Sequence, residues 1–475
     1  MTQEELNKVV DSITNLDDAK ALIRVLLERI SKLEEEVAKL KKDSSTSSKP
    51  PSSDIVKPAH QQRQSGKRRC GGQPGHEGVK HALLPADKVD RVEPDLELVR
   101  CPDCGGELEQ ERCDKVLIQQ IAELVEKPVE IIEYRRYGHL CPCCQVVQYP
   151  ELPAGVVEGH FLGLKLQAMI AYMKGALGTS YRDICEFIQD VLGTKVSRAT
   201  VYNVVMRTSE ALKQPYEELA KQVPEEKVLN IDETGWKDNG KKFWVWLFCT
   251  QVIAFFTIKC SRACQVLIDV LGEKFDGAII SDFYSAYVCY ANKNQQFCLA
   301  HLIREIKFLT TLPDPATKAF GEKMLTYFRI LFRHWHARDN MPSDILLKRI
   351  GRLERKIFTF LSSNNIPTGD ATRLQKRFVK HWHSLFRFVR SPDIYQPTNN
   401  LAEQTLRLLV RIRKLTQGTR SEAGRVWVAR SITTVETCRK QKRRAWKFML
   451  DSLHAYHFDG LYPSLIPASI ERYGG

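Results

Sequence analysis

The sequence has 475 residues, enough for two to four domains, and its 43% hydrophobic content is sufficient to build cores. No run of 18 or more apolar residues occurs and the opening Met1-Thr2-Gln3-Glu4-Glu5 is acidic and polar, so the expectation is a soluble intracellular chain with neither signal peptide nor membrane span. The net charge of +14 is segregated: residues 301–400 hold 18 Lys and Arg against 8 Asp and Glu, and residues 401–450 hold 13 against 3, which leaves the first 300 residues net acidic. Clustering of that kind marks a polyanion-binding face more readily than a merely solvated surface. Fourteen cysteines spread through a long chain without a secretory signal read as reduced thiols and metal ligands, not disulfides.

The first segment, residues 1–43, reads as helical. Leu26, Ile30, Leu33, Val37 and Leu40 follow steps of 4, 3, 4 and 3 with Glu and Lys between them, the narrow seam of a coiled coil that is buried only against another helix. Self-association, at least a dimer, is the expectation; docking on its own chain is the alternative. Residues 44–97 read as a linker, beginning in Ser44 to Asp54 and continuing through the basic, glycine-rich Lys67 to His76.

Residues 98–150 contain Cys101-Pro102-Asp103-Cys104-Gly105 and Cys141-Pro142-Cys143-Cys144, separated by β-branched stretches such as Val129 to Tyr134. Two such turns joined by strands suit a tetrahedral structural zinc site with Cys101, Cys104, Cys141 and Cys144 as ligands. Cys143 and His139 are neighbouring alternatives, and a thiol redox pair is the competing reading. Residues 151–215 have helical spacing: Ser180 to Leu192, a Gly193-Thr194 turn, then a second helix capped by Ser197. That pattern suits a helix-turn-helix with Arg198, Thr200 and Asn203 facing a DNA groove, although helical hairpins are common without that function.

From residue 227 strands take over. Val228 to Asp232, Phe243 to Thr250 and Val252 to Ile258 are three extended runs, Val266 to Leu271 has helical spacing, and Gly277 to Asp282 is a further buried strand. The order βββαβ, with Asp232 in or just after the first strand and Asp282 closing the fourth, is that of a ribonuclease-H-like core, in which those two strands lie side by side. Paired carboxylates there suit phosphoryl transfer with two Mg²⁺ ions about 3.5–4 Å apart, because hard cations take hard oxygen ligands. The third carboxylate is expected from a later helix. Glu403, in Asn399-Asn400-Leu401-Ala402-Glu403, lies off the apolar stripe Leu401, Leu408, Ile412 and Leu415. Each acid also has an ordinary reading: Asp232 as a turn former, and Glu403 as the end of a capping box from Asn400 with a salt bridge to Arg407. The 120 residues between Asp282 and Glu403 read as a helical insertion rich in basic and aromatic residues, such as Tyr327 to Trp335. His301 and Arg304 open a helix soon after Asp282, either near the scissile phosphate or as an ordinary helix start. Arg407, Arg411 and Lys414 are further DNA-contacting candidates.

From the coiled coil onward the sequence resembles the insertion sequence 66 family of bacterial DDE transposases. The resemblance is carried by Ser47-Ser48-Lys49-Pro50-Pro51-Ser52-Ser53-Asp54, Gly71 to His76, the paired cysteine turns, Asp232-Glu233-Thr234, Ser281-Asp282 with Tyr287, and Asn399 to Glu403. It implies an enzyme that nicks the ends of its element by metal-activated water and joins the freed 3′-hydroxyl to target DNA, with the triad Asp232, Asp282 and Glu403 holding Mg²⁺. It implies as partners the element's inverted repeats, target DNA and small accessory proteins, and a bacterial cytoplasmic, nucleoid-associated location. The whole chain is thus expected as a multidomain α/β protein: a catalytic core in 225–310 and 396–440, a helical insertion in 311–395 and a tail in 441–475. The competing readings are a transposase-derived DNA-binding regulator without catalysis and a nuclease that cuts without joining.

Overall fold

The computed structural model describes residues 7, 16–42, 83–92, 100–107, 118–290, 294–363, 366–458 and 460–467. Residues 60–133 form one unit and the rest of the chain another. The glycine-rich stretch 67–76 lies outside the described residues.

The chain opens with helix α1, Leu16–Leu40. In residues 60–133, Cys101 starts a tight turn in which Gly105 N–H bonds back to the Cys101 carbonyl and Cys101 N–H to that of Gly106, flanked by a bridge between Arg100 and Glu107. Residues 118–138 form no regular strands, so the segments expected to pair between the cysteine turns are irregular connections. The second unit has the same turn at Cys141, with Gln145 N–H bonding to the Cys141 carbonyl and Cys141 N–H to that of Val146, between the paired short strands β1 (His139–Leu140) and β2 (Val147–Gln148). Gly105 and Gln145 take the same left-handed conformation at the same step.

Helix α2 is Leu164–Tyr172, α3 Tyr181–Leu192, α4 Arg198–Ala211 and α5 Lys213–Gln222. The local sequence sets the bounds of α3 and α4. The Ser180 hydroxyl accepts Asp183 N–H, the Ser197 hydroxyl accepts Thr200 N–H, and Gly193 closes α3 in the left-handed conformation that favours glycine.

The catalytic-core expectation produces one five-stranded sheet: β3 (Val228–Asp238), β4 (Lys241–Cys249), β5 (Ala254–Lys259), β6 (Ala278–Ser281) and β7 (Gln295–Phe297). The order is β5-β4-β3-β6-β7, with β3 antiparallel to β4 and parallel to β6. Helix α6 (Gln265–Leu271) makes the crossover, and α7 (Ser285–Tyr290) follows β6. Both sheet edges are covered, as an exposed edge would otherwise invite pairing. The β7 edge is held by Gln296, whose amide donates to the Leu385 carbonyl (2.9 Å) and accepts Phe388 N–H (3.0 Å).

Residues 299–390 are helical apart from short links: α8 Leu299–Leu309, α9 Pro315–His336, α10 Ser343–Leu361, α11 Asp370–Lys380, α12 Trp382–Leu385 and α13 Arg387–Arg390. Within α9 the aromatic stretch is amphipathic: Phe328, Leu331 and Trp335 are buried. Helix α14, Asn400–Thr416, lies against β3 and β4. Its buried face is Ala402, Thr405, Leu406, Leu408, Leu409 and Ile412, while Leu415, expected on the apolar stripe, is exposed. Helix α15 (Glu422–Lys440) covers the β5 edge, where the Thr433 and Thr437 hydroxyls accept Phe256 and Ala254 N–H at 3.0 and 3.1 Å. Residues 441–475, expected as a tail, contain α16 (Ala445–His457), which packs on α2 and α4. The pair α3–α4 is thereby tied to the C-terminal end of the chain. No helix among the described residues is long and apolar enough to cross a membrane.

Candidate functional site

Register decides where the first two carboxylates stand. Val228, Leu229 and Asn230 face Ala278, Ile279 and Ile280 across the parallel pair. Continued by two residues, that pairing brings Asp232 level with Asp282, just beyond the end of β6. Each is fixed by one local bond: Asp232 Oδ1 accepts Glu233 N–H at 2.9 Å and Asp282 Oδ1 accepts Tyr284 N–H at 2.9 Å. Among the described residues no group donates to the second oxygen of either.

Glu403 arrives from α14, 120 residues intervening after Asp282, and the start of that helix is pinned to β3. The Asn399 amide donates to the Ile231 carbonyl (2.8 Å), the Asn230 amide donates to Asn399 Oδ1 (2.8 Å), and Asn399 N–H reaches Cys298 Sγ (3.2 Å). The N-cap is therefore Asn399, its side chain is committed to the sheet, and the capping box expected from Asn400 does not form. The expected Glu403–Arg407 pair is also absent. Glu403 Oε1 is buried without a hydrogen-bond partner, 3.9 Å from His301 Nε2. Burial and Arg304 hold the His301 imidazole below its ordinary pKa, which favours its neutral form.

The two aspartates feel the acids around them. Burial raises Asp232 well above the usual carboxylate range, and Glu233, Asp282 and Glu403 push in the same direction. Asp282 is also raised, first by burial, with Glu403 adding to it. All three keep partial solvent access. Mutually repelling, half-open carboxylates are an arrangement that a bound cation stabilises.

Glu233, directly after Asp232, has a different fate. It is buried, ion-paired with Arg262 (Nε to Oε1, 2.8 Å) and accepts the Tyr287 hydroxyl on Oε2. Arg262 is stacked on Tyr284, 3.6 Å from the ring centre. This anchoring triad was not visible in the sequence. Asn230 did leave a signal: an amide inside the apolar run Val228-Leu229-Asn230-Ile231 needs a buried partner, and Asn399 supplies it. Cys298, His301 and Glu403 form the one group among the described residues whose potential metal-ligating atoms lie within 4.8 Å of one another. Burial and Glu403 raise the Cys298 thiol to about 11 although three backbone N–H groups, Asn399's first, oppose them, so it stays a neutral acceptor for Asn399.

The DNA-contacting candidates separate into groups. Arg198 and Asn203 are exposed on the first turns of α4, while the Thr200 hydroxyl is bonded to that of Ser197 at 2.9 Å. Arg407, Arg411 and Lys414 are exposed on one face of α14, the face that begins at Glu403. Arg407 and Arg411 line a groove with Gln404, Leu408, Glu436 and Arg439, and Arg411 also donates to the Ala176 carbonyl at 2.7 Å. Arg413, between them, is turned inward and donates to Thr234 and Gly235 of β3. In each cysteine turn, backbone N–H groups two and three residues on lower the pKa of the first thiol, from Cys104 and Asp103 onto Cys101, and from Cys144 and Cys143 onto Cys141.

Comparison with curated proteins finds no match. Residues 1–82 match a family of unknown function, DUF6444. Residues 159–426, more than half of the chain and the whole span from α2 through the sheet to the start of α15, match the model of the Transposase IS66 family, and the chain belongs to that family.

Proposed function

We propose that the protein cuts DNA at the ends of its element and joins those ends to target DNA, with Asp232, Asp282 and Glu403 as the catalytic carboxylates. The observation that carries this reading is that the middle of β3, the residue just past β6 and the start of α14 bring three half-open carboxylates within electrostatic reach of one another, with Glu403 Oε1 buried and without a hydrogen-bond partner. The sheet order β5-β4-β3-β6-β7 supports a ribonuclease-H-like core.

A hard-oxygen donor set with an orphaned carboxylate oxygen fits divalent Mg²⁺, and Asp232, Asp282 and Glu403 are the residues that would hold it. Two such ions, when bound, activate the attacking oxygen and neutralise the leaving one. The chain's own groups do the positioning. Glu233, locked by Arg262 and Tyr287, fixes the strand beneath Asp232, and Asn399 sets the approach of Glu403. Cleavage by water and joining by a 3′-hydroxyl are both in-line displacements at phosphorus, so one carboxylate cluster serves both steps.

The remaining parts are assigned by the same reading. Each cysteine turn offers a pair of thiolates for structural Zn²⁺, Cys101 with Cys104 and Cys141 with Cys144; the matching geometry of the two turns and the lowered first thiol of each support it. The pair α3–α4 acts as a helix-turn-helix on the element's inverted repeats through Arg198 and Asn203, with Thr200 committed to the cap. Arg407, Arg411 and Lys414 grip phosphates beside the carboxylates. The protein works on nucleoid DNA in the bacterial cytoplasm as a homo-oligomer, with accessory proteins of the same element.

The test is cleavage of end-labelled plasmid carrying the element's ends in Mg²⁺, comparing the unsubstituted protein with Asp282→Asn. Metal-dependent nicks at the element boundary that vanish in the variant are expected. Tight end-binding with no nicking by either protein would overturn the reading in favour of a DNA-binding regulator.

A further inference from the structure

Cys298, just past β7, is the N-cap of α8, and His301 stands three residues on in the first turn of that helix. Glu403 reaches the same point from the first turn of α14. The potential ligating atoms of the three lie within 4.8 Å of one another. Backbone bonds hold the meeting in place. Cys298 N–H bonds to the Ser281 carbonyl at 2.7 Å, Leu299 N–H to that of Pro397 at 2.8 Å, and Asn399 N–H to Cys298 Sγ at 3.2 Å. The starts of both helices are thus fixed to each other and to the end of β6.

What the side chains lack is partners. His301 Nδ1 and Glu403 Oε1 are both buried, and neither has a hydrogen-bond partner among the described residues. The 3.9 Å between His301 Nε2 and Glu403 Oε1 is too long for a hydrogen bond. Buried polar atoms are seldom left so, and two of them on facing side chains point to a ligand. Mg²⁺ accounts for Glu403 alone, because a hard ion selects oxygen and leaves sulfur and imidazole nitrogen aside. A borderline-soft ion takes all three donors. Burial holds the Cys298 thiol up at about 11, yet the N–H groups of Asn399, His301 and Ala300 already point at the sulfur, as a thiolate requires. Burial and Arg304 keep the His301 imidazole in the neutral form that ligates. Tetrahedral Zn²⁺ sets such donors about 3.3–3.6 Å apart, so side-chain movements of about 1 Å close the site.

We propose that Cys298, His301 and Glu403 form a three-ligand site for Zn²⁺, and that its occupation takes Glu403 away from Asp232 and Asp282 and so stops cleavage. Binding makes a sulfur–zinc bond and releases the thiol proton to water, with nothing oxidised or reduced. The site itself stands apart from the nuclease reading; only its effect on cleavage rests on that reading.

Full-length protein dialysed against micromolar Zn²⁺ without DNA, with bound zinc counted per chain, tests the site. The cysteine turns contribute equally to every variant, so the difference between proteins isolates it. The unsubstituted protein is expected to keep one Zn²⁺ more than Cys298→Ser, His301→Asn or Glu403→Gln. Serine preserves the helix cap while removing the soft ligand, and circular dichroism confirms the fold of each variant. In the cleavage assay each protein is compared with its own rate in Mg²⁺ alone. Micromolar Zn²⁺ should slow the unsubstituted protein by about tenfold or more, and Cys298→Ser far less. Equal zinc counts in the unsubstituted protein and Cys298→Ser would overturn the proposal whatever the cleavage assay gives, and so would equal inhibition of the two. A count that falls by one in the variants, with no cleavage by any protein in Mg²⁺ alone, would uphold the site and tell against the nuclease reading.

Discussion

Two aspartates on β3, six residues apart and on the same side of the strand, are treated in opposite ways. Asp238 is enclosed by donors: Thr419 Oγ1 at 2.7 Å on one oxygen and Arg425 on the other, with Arg425 stacked on Phe243. Asp232 is enclosed by acids, with Glu233, Asp282 and Glu403 around it. Burying a carboxylate is tolerable when its charge is matched and costly when it is not. The chain satisfies the acid at the end of the strand completely and leaves the one in its middle unmatched, and that unmatched acid is where a cation has something to gain. The lesson is one of surroundings: identical side chains on one strand become a clasp or an unmatched charge according to what the tertiary fold sets opposite them.

The largest expected effect that sharpens the contrast is at Asp232. Asp232→Asn should lower DNA cleavage by about 10³-fold or more, yet leave the metal-free protein as stable as before or more so, because a repelling charge has gone. Paired cleavage rates and melting curves check both halves; a variant that cuts normally, or one that unfolds, would break the comparison.

Asp238→Ala should behave the other way round. It leaves Arg425 enclosed without its partner and should cost about 3 kcal/mol of stability, with cleavage per folded molecule nearly unchanged. Denaturant titration alongside active-site-normalised rates reads both.

The smallest effect is in pH. Asp232 and Asp282 both have raised pKa values, so the folded protein binds more protons than the unfolded chain. Their contribution is fully present below the ordinary carboxylate pKa near 4 and is lost as pH rises through the higher folded values. In chelator, the melting temperature should fall as pH climbs through that window. The fall should be shallower in Asp232→Asn, and Mg²⁺ should reverse it in the unsubstituted protein. A metal-free melting temperature that rises over the same range would contradict the burial and repulsion assigned to these groups.

Much of the site was legible because it rests on local pattern. Asp232 and Asp282 each close an apolar run of β type, and the order of the runs set their strands side by side. Ser180, Gly193 and Ser197 marked the bounds of α3 and α4 through capping chemistry alone. What stayed hidden depends on contacts distant in sequence. Nothing near Glu233 announces Arg262 or Tyr287, and nothing near Glu403 shows that Asn399, tied to β3 through its amide, is the N-cap, which puts Asn400 inside the helix and removes the capping box expected from it. Helix α16 is a different omission: Ala445, Phe448, Met449, Ser452 and Leu453 have helical spacing, and the signal was present in a stretch read as a tail.

Helix α14 is fastened to β3 at its start by Asn399 and in its last turn by Arg413. Just past its end a second fastening forms, where Thr419 N–H bonds to the Lys237 carbonyl (2.9 Å) and Asn239 N–H to that of Thr419 (2.8 Å). Gly418 permits that last approach, for a Cβ there would stand 2.1 Å from the Lys237 oxygen. The position of Glu403 is therefore written into its own helix and not into the long excursion that precedes it. Lengthening or trimming the helices of residues 299–390 would therefore leave Glu403 in its place, so that the acid and the excursion before it can change independently.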